Sequence, residues 1–194
     1  MNQKVQIAIF ASGGGSNAAK IMDFFQGEKS ADIAVVITNN PAAGVIAKAE
    51  QKAVPVIVLE KHKHLDGEGL LRLLATYNVT FIALAGWLKR IPNELIAHYQ
   101  NRIVNIHPSL LPKFGGKGMY GLHVHQAVSE SGDSESGMTI HYVTSEYDQG
   151  TIIFQGRVKV GPQDSPEQIA AKVLKLEHEH YPKEINKLVK ELTD

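Results

Sequence analysis

Asn105 and His107 are the residues of this sequence whose types and spacing best suit chemistry. They stand two apart in Asn105-Ile106-His107-Pro108-Ser109-Leu110-Leu111-Pro112, where an apolar run ends. On a strand, that spacing sends both side chains to the same side. The ends of parallel strands are where open α/β sheets bind ligands. An amide NH2 and an imidazole converging there can donate to a developing oxyanion, or the histidine can act as a general acid or base. The competing reading is a structural histidine. Asn105 weighs against it, because an apolar strand rarely needs two polar side chains.

Two further sites invite ligands, each with a plain alternative. Val5–Ala11 runs into Ser12-Gly13-Gly14-Gly15-Ser16-Asn17. Glycines there let the backbone approach a ligand, and the start of the helix that follows offers free N–H groups suited to a phosphate. Asn17 is read as that helix's N-cap. No Lys follows, so the turn is not a nucleotide-hydrolysing phosphate loop, and without a ligand it is simply a tight strand-to-helix turn. Tyr147-Asp148-Gln149-Gly150 reads locally as a hairpin turn, where Asp and Gly belong. Spacing alone does not say whether Asp148 faces solvent or His107.

Nine histidines include the H-x-H pairs His62/His64, His123/His125 and His178/His180. The last pair falls on a predicted helix, where residues two apart diverge, and Lys61 and Lys63 flank the first. His123/His125 is the best metal candidate, but no Asp/Glu–His motif accompanies it, and no metal is expected.

The elements that must position these residues follow from apolar periodicity. Strand-like runs at Val5–Ala11, Ile33–Thr38, Val54–Leu59, Val79–Ala85 and Arg102–Ile106 alternate with helical segments after Asn17 and at Ala42–Lys52, Gly67–Tyr77 and Asn93–Tyr99. Such alternation predicts a mostly parallel sheet with helices on both faces. After Pro108 the glycine-rich 110–121 stretch reads as a loop and Leu122–Ser131 as a helix. Met138–Thr144 and Thr151–Val160 read as an antiparallel strand pair. Ser165 caps a final helix, with an interruption expected at Pro182.

Composition narrows the function classes. At 194 residues and 43% hydrophobic content, one compact domain spanning residues 1–194 is expected. Twenty basic residues balance twenty acidic ones, which argues against a general grip on nucleic acid. The absence of cysteine removes disulfides, thiolate metal sites and a cysteine nucleophile. No apolar run approaches the ~18 residues of a membrane span. The expectation is a cytoplasmic protein, as the start of the chain lacks the apolar segment of a signal peptide.

In order along the chain stand Gly13–Asn17, Ala85-Gly86-Trp87-Leu88-Lys89-Arg90-Ile91, Asn105–Pro112, His141-Tyr142-Val143-Thr144, Asp148-Gln149-Gly150 and Glu177-His178-Glu179-His180-Tyr181-Pro182. Together they resemble the phosphoribosylglycinamide formyltransferases of the folate-dependent formyltransferase superfamily. The resemblance implies a Rossmann-like α/β fold. It also implies transfer of the formyl group of N10-formyltetrahydrofolate to the amine of glycinamide ribonucleotide in purine synthesis, by a monomer or weak homodimer. By the same resemblance Gly14, Gly15, Ser16 and Asn17 hold the ribonucleotide phosphate and Glu177 contacts that substrate. Leu88, Lys89, Arg90, Ile91, Asn105, His141, Thr144 and Asp148 line the folate site, and Asn105, His107 and Asp148 form the catalytic trio. Asp148, if within reach, is expected to raise the pKa of His107. Phe114–Gly121 is longer and richer in glycine than in many relatives, and is read as a lid or a surface insertion. A hydrolase sharing the catalytic motif and a non-catalytic folate or nucleotide sensor are the rival readings.

Overall fold

The computed structural model describes residues 4–59 and 66–192. His62 and His64 lie outside them. The strands are β1 (Val5–Phe10), β2 (Ala31–Thr38), β3 (Val56–Val58), β4 (Phe81–Leu84), β5 (Ile103–His107), β6 (Glu135–Tyr142) and β7 (Ile152–Lys159). They form one sheet in the order β3-β2-β1-β4-β5-β6-β7. Pairing is parallel from β3 through β5, then antiparallel for β5–β6 and β6–β7.

The helices are α1 (Ser16–Phe25), α2 (Val45–Glu50), α3 (Gly67–Thr76), α4 (Asn93–His98), α5 (Leu122–Ser131) and α6 (Pro166–Glu191). Alternation along β1 sorts them into two layers. Ile7 and Ile9 pack with residues of α1, α2, α5 and α6, whereas Ala8 and Phe10 pack with α3 and α4. Both faces of the parallel strands are therefore dry, which is why these strands are almost continuously apolar.

Two local expectations are corrected. Asn17 does not cap α1. The N-cap is Gly15, in the left-handed conformation at φ +71°, and Asn17 is the second helical residue. Gly15 is required there twice over, because a Cβ would also lie 2.6 Å from the Val45 side chain where α2 begins. Pro182 does not interrupt α6, which runs unbroken for 26 residues from a Ser165–Gln168 capping box. A mid-helix proline costs ~3 kcal/mol. Here Ile169, Val173 and Tyr181 before it and Ile185 and Val189 after it are all fully buried. Packing of both halves offsets that cost.

Candidate active site

Hydrogen bonds beyond the sheet gather the strand ends around one cavity. The Ser12 amide donates to the Gly86 carbonyl (3.1 Å), and the Ser12 hydroxyl donates to Asn39 Oδ1 (2.6 Å) and accepts from the Leu88 amide (3.1 Å). The exits of β1, β2 and β4 are thereby clipped together at the point where strand order reverses, the usual ligand crevice of such sheets. From α6, the Tyr181 hydroxyl is shared between the carbonyls of Leu84 (2.9 Å) and Val104 (3.2 Å). This seats α6 over β4 and β5, and Glu177 stands one turn before Tyr181 on the same face.

The resulting cavity, of about 800 Å³, is lined by Asn105, His107, His141 and Asp148 at its centre. Asp148 sits at φ +55°, a left-handed conformation that Asp tolerates better than most residues. Its Oδ2 lies 3.5 Å from His107 Nδ1 and its Oδ1 lies 3.6 Å from His141 Nε2. The Gly116 amide donates to the same Oδ2 at 2.8 Å. Asn105 Nδ2 approaches His141 Nε2 at 3.2 Å. His107 Nε2 donates to the Phe114 carbonyl at 2.8 Å. Tertiary structure thus answers what the Asp148 turn alone did not: its carboxylate faces both histidines.

The electrostatics bear out the pull expected of Asp148 on His107 but not a net rise. Burial pushes the His107 imidazole below its ordinary pKa. Asp148 and the Phe114 carbonyl pull it up and His141 pushes it further down, but burial prevails. The resting ring is neutral at pH 7, not an imidazolium. Asp148 goes the other way. Burial alone would raise its pKa, but His141, the His107 ring and the Gly116 amide together hold it below the usual carboxylate range.

Leu88, Lys89, Arg90, Ile91 and Thr144 also line the cavity. Arg90 donates to the Ser145 carbonyl at 2.8 Å, tying the segment after β4 to the segment after β6. At the α6 side stand Asn17 and Glu177, with Asn17 Nδ2 donating to Glu177 Oε2 at 2.6 Å. Gly14, Gly15 and Ser16 lie at the adjoining start of α1 and not on the cavity wall itself. A Cβ on Gly14 would meet nothing within 4 Å, so the backbone there is open to a ligand. The conformational demand for glycine in this turn falls on Gly15.

Glu177 is buried, and burial raises its pKa from 4.5 to about 7 against the opposing Asn17 hydrogen bond. The unfolded chain gives up this proton near pH 4.5 while the folded chain keeps it until about pH 7, so stability falls as pH rises through that window. Above pH 7 the penalty amounts to about 3 kcal/mol. Glu177→Gln is therefore expected to be more stable than the parent by about that amount at pH 8 and nearly equal to it at pH 4. Urea unfolding at the two pH values checks this; equal stabilities at pH 8 would refute it.

The two histidine pairs among the described residues separate in space. His180 stacks on Phe154 of β7 at 4.8 Å, whereas the charge of Lys20 on α1 bears on His178. His123 is exposed and His125 is buried. Among the described residues no group of three or more His, Cys, Asp or Glu side chains is arranged so that it could hold a metal ion. Gly116–Gly121, part of the stretch read as a lid or a surface insertion, line the cavity, and sequence reasoning missed that His125 does so too. The available signal was the i, i+4 spacing of Val124 and Val128, which places the neighbouring His125 near the buried face of α5.

Residues 5–185 match the family described as formyl transferase. The chain is 44% identical over 185 residues to a chloroplastic phosphoribosylglycinamide formyltransferase of Arabidopsis thaliana, covering 92% of this chain and 63% of the relative. It thus spans less than two thirds of that plant protein's length. It is 34% identical to the phosphoribosylglycinamide formyltransferase of Haemophilus influenzae, over 91% of this chain and 84% of that one. The crystal structure of glycinamide ribonucleotide transformylase 1 from Geobacillus kaustophilus superposes with a TM-score of 0.87 at 34% identity, covering 96% of this chain and all of the other.

Proposed function

Since this chain belongs to the formyl transferase family, we propose that it passes the formyl group of N10-formyltetrahydrofolate to the amine of glycinamide ribonucleotide in de novo purine synthesis. The observation that carries this reading is the meeting of Asn105, His107 and Asp148 at the centre of one cavity. The phosphate turn and Glu177 stand on one side of it, and Leu88–Ile91 with Thr144 on another.

In this reading the amine nitrogen attacks the formyl carbon, a C–N bond forms, and negative charge builds on the formyl oxygen. Asn105 Nδ2 and His107 Nε2–H donate to that oxygen, the latter exchanging the Phe114 carbonyl for it. Growing charge on the oxygen makes the ring more basic, so the Asp148 carboxylate beside Nδ1 helps most at the transition state. Asp148 also holds a water that moves a proton from the attacking nitrogen to N10 as the carbon–N10 bond breaks. The products are the formylated amide and tetrahydrofolate, with no metal and no covalent enzyme intermediate. The ribonucleotide phosphate rests on Gly14–Asn17 at the start of α1. Donors on the same substrate relieve the buried Glu177 carboxylate. In this reading the chain works as a single domain of residues 1–194 in the cytoplasm. Among the described residues no helix is long and apolar enough to cross a membrane.

The test is a spectroscopic assay of folate product with and without glycinamide ribonucleotide. Product that forms only in its presence supports the transferase. Equal turnover in its absence would instead identify a hydrolase.

A further inference from the structure

His125 is a buried polar side chain of the cavity that the mechanism leaves unused. It is 5% exposed, lines the cavity beside His107, and its Nδ1 is buried with no hydrogen-bond partner among the described residues. A histidine kept for packing normally has its ring nitrogens satisfied, because an unpaired buried polar atom is costly. The other imidazoles at the centre are committed: His107 to the Phe114 carbonyl, and His141 to Asn105 and the Tyr142 carbonyl. A metal does not explain the orphan atom, since no ligand cluster stands around it among the described residues. Nor is His125 a charged group, because burial first and then His107 lower its pKa, leaving a neutral ring with one donor and one acceptor.

The layer that carries His125 indicates which substrate it meets. Helix α5 packs directly on α6, which brings Ala170, Leu174 and Glu177 to the same cavity. The Leu88–Ile91 wall belongs to the opposite layer, where Trp87 and Ile91 pack with the α3 and α4 core. Gly121, the N-cap of α5, also lies on the cavity wall and supplies no side-chain cap.

We propose that His125 is a specificity-determining contact of the amine substrate, its ring N–H donating to an uncharged oxygen acceptor such as the amide carbonyl next to the reacting nitrogen. This inference rests on the formyl-transfer reading above and adds a residue to it. It assigns the acceptor side of the cavity two readers on neighbouring helices, Glu177 and His125.

The experiment compares the parent with His125→Leu, which fills the volume without polar atoms, and His125→Asn, which restores a donor near the Nδ1 position. Steady-state kinetics, calorimetric binding of the ribonucleotide alone, and thermal unfolding are measured on each. Loss of one uncharged hydrogen bond should raise the ribonucleotide KM and Kd of His125→Leu by roughly 3–10-fold. The KM for the formyl donor and the Tm should be unchanged, and His125→Asn should recover part of the loss. A lowered Tm with both KM values unchanged would make His125 a packing residue and overturn the assignment. Failure of the parent to form product or to bind the ribonucleotide would overturn the formyl-transfer reading itself.

Discussion

Asp148→Asn is expected to lower kcat by about 10²–10⁴ while leaving the KM for the ribonucleotide within about threefold. The carboxylate touches both histidines and the Gly116 amide but not the Asn17–Glu177 pair, so its loss falls on the chemical step. Asparagine is close in shape and tolerates the left-handed backbone found at this position, so folding is spared. What changes is function at two atoms. One oxygen becomes an NH2, so the side chain can no longer offer an anion to both rings, and the remaining neutral oxygen is a poor partner for a water that must take up a proton. Steady-state kinetics against each substrate gives the answer. A kcat within a factor of three of the parent would remove Asp148 from the mechanism.

Asn105→Ala should cost about 10²–10³ in kcat, the range seen when one oxyanion donor is removed. Its Nδ2 meets His141 at 3.2 Å, so truncation also releases His141 from one neighbour. A double-mutant cycle with His141→Ala separates the two contributions. If Asn105 donates to the oxygen directly, Asn105→Ala loses rate even when His141 is already absent. Were the entire loss to vanish in the His141→Ala background, Asn105 would be a residue that merely positions His141. The comparison is made on single-turnover rates, so product release does not mask the chemical step.

The parallel half of the sheet could be read from the sequence because each strand is short, apolar and bounded by a turn or a helix signal. Asn105 and His107 were legible for a related reason: period-two spacing at a strand end is a local property that survives folding unchanged. Asp148 was not. Its turn chemistry is ordinary, and what distinguishes it is a 3.5 Å approach to a residue 41 positions earlier in the chain, a tertiary fact. The upward pull of Asp148 on the His107 pKa was foreseen from its charge, but the burial that outweighs it was not. Asn17 was misread as a cap because capping preference is local, whereas its side chain is claimed by Glu177, 160 residues away. Pro182 was misread for the same kind of reason, since the rule for prolines in helices omits what a whole buried face can offset.

The residues after β4 have one more consequence. Trp87 is the single tryptophan of the chain, and it lines the cavity with its ring edge-on to Phe10 at 5.1 Å. All indole fluorescence from this protein therefore originates in the wall of this cavity, with no second emitter elsewhere to dilute it. The molecule carries its own optical probe, and stopped-flow emission can follow ligand arrival and departure in the unmodified chain.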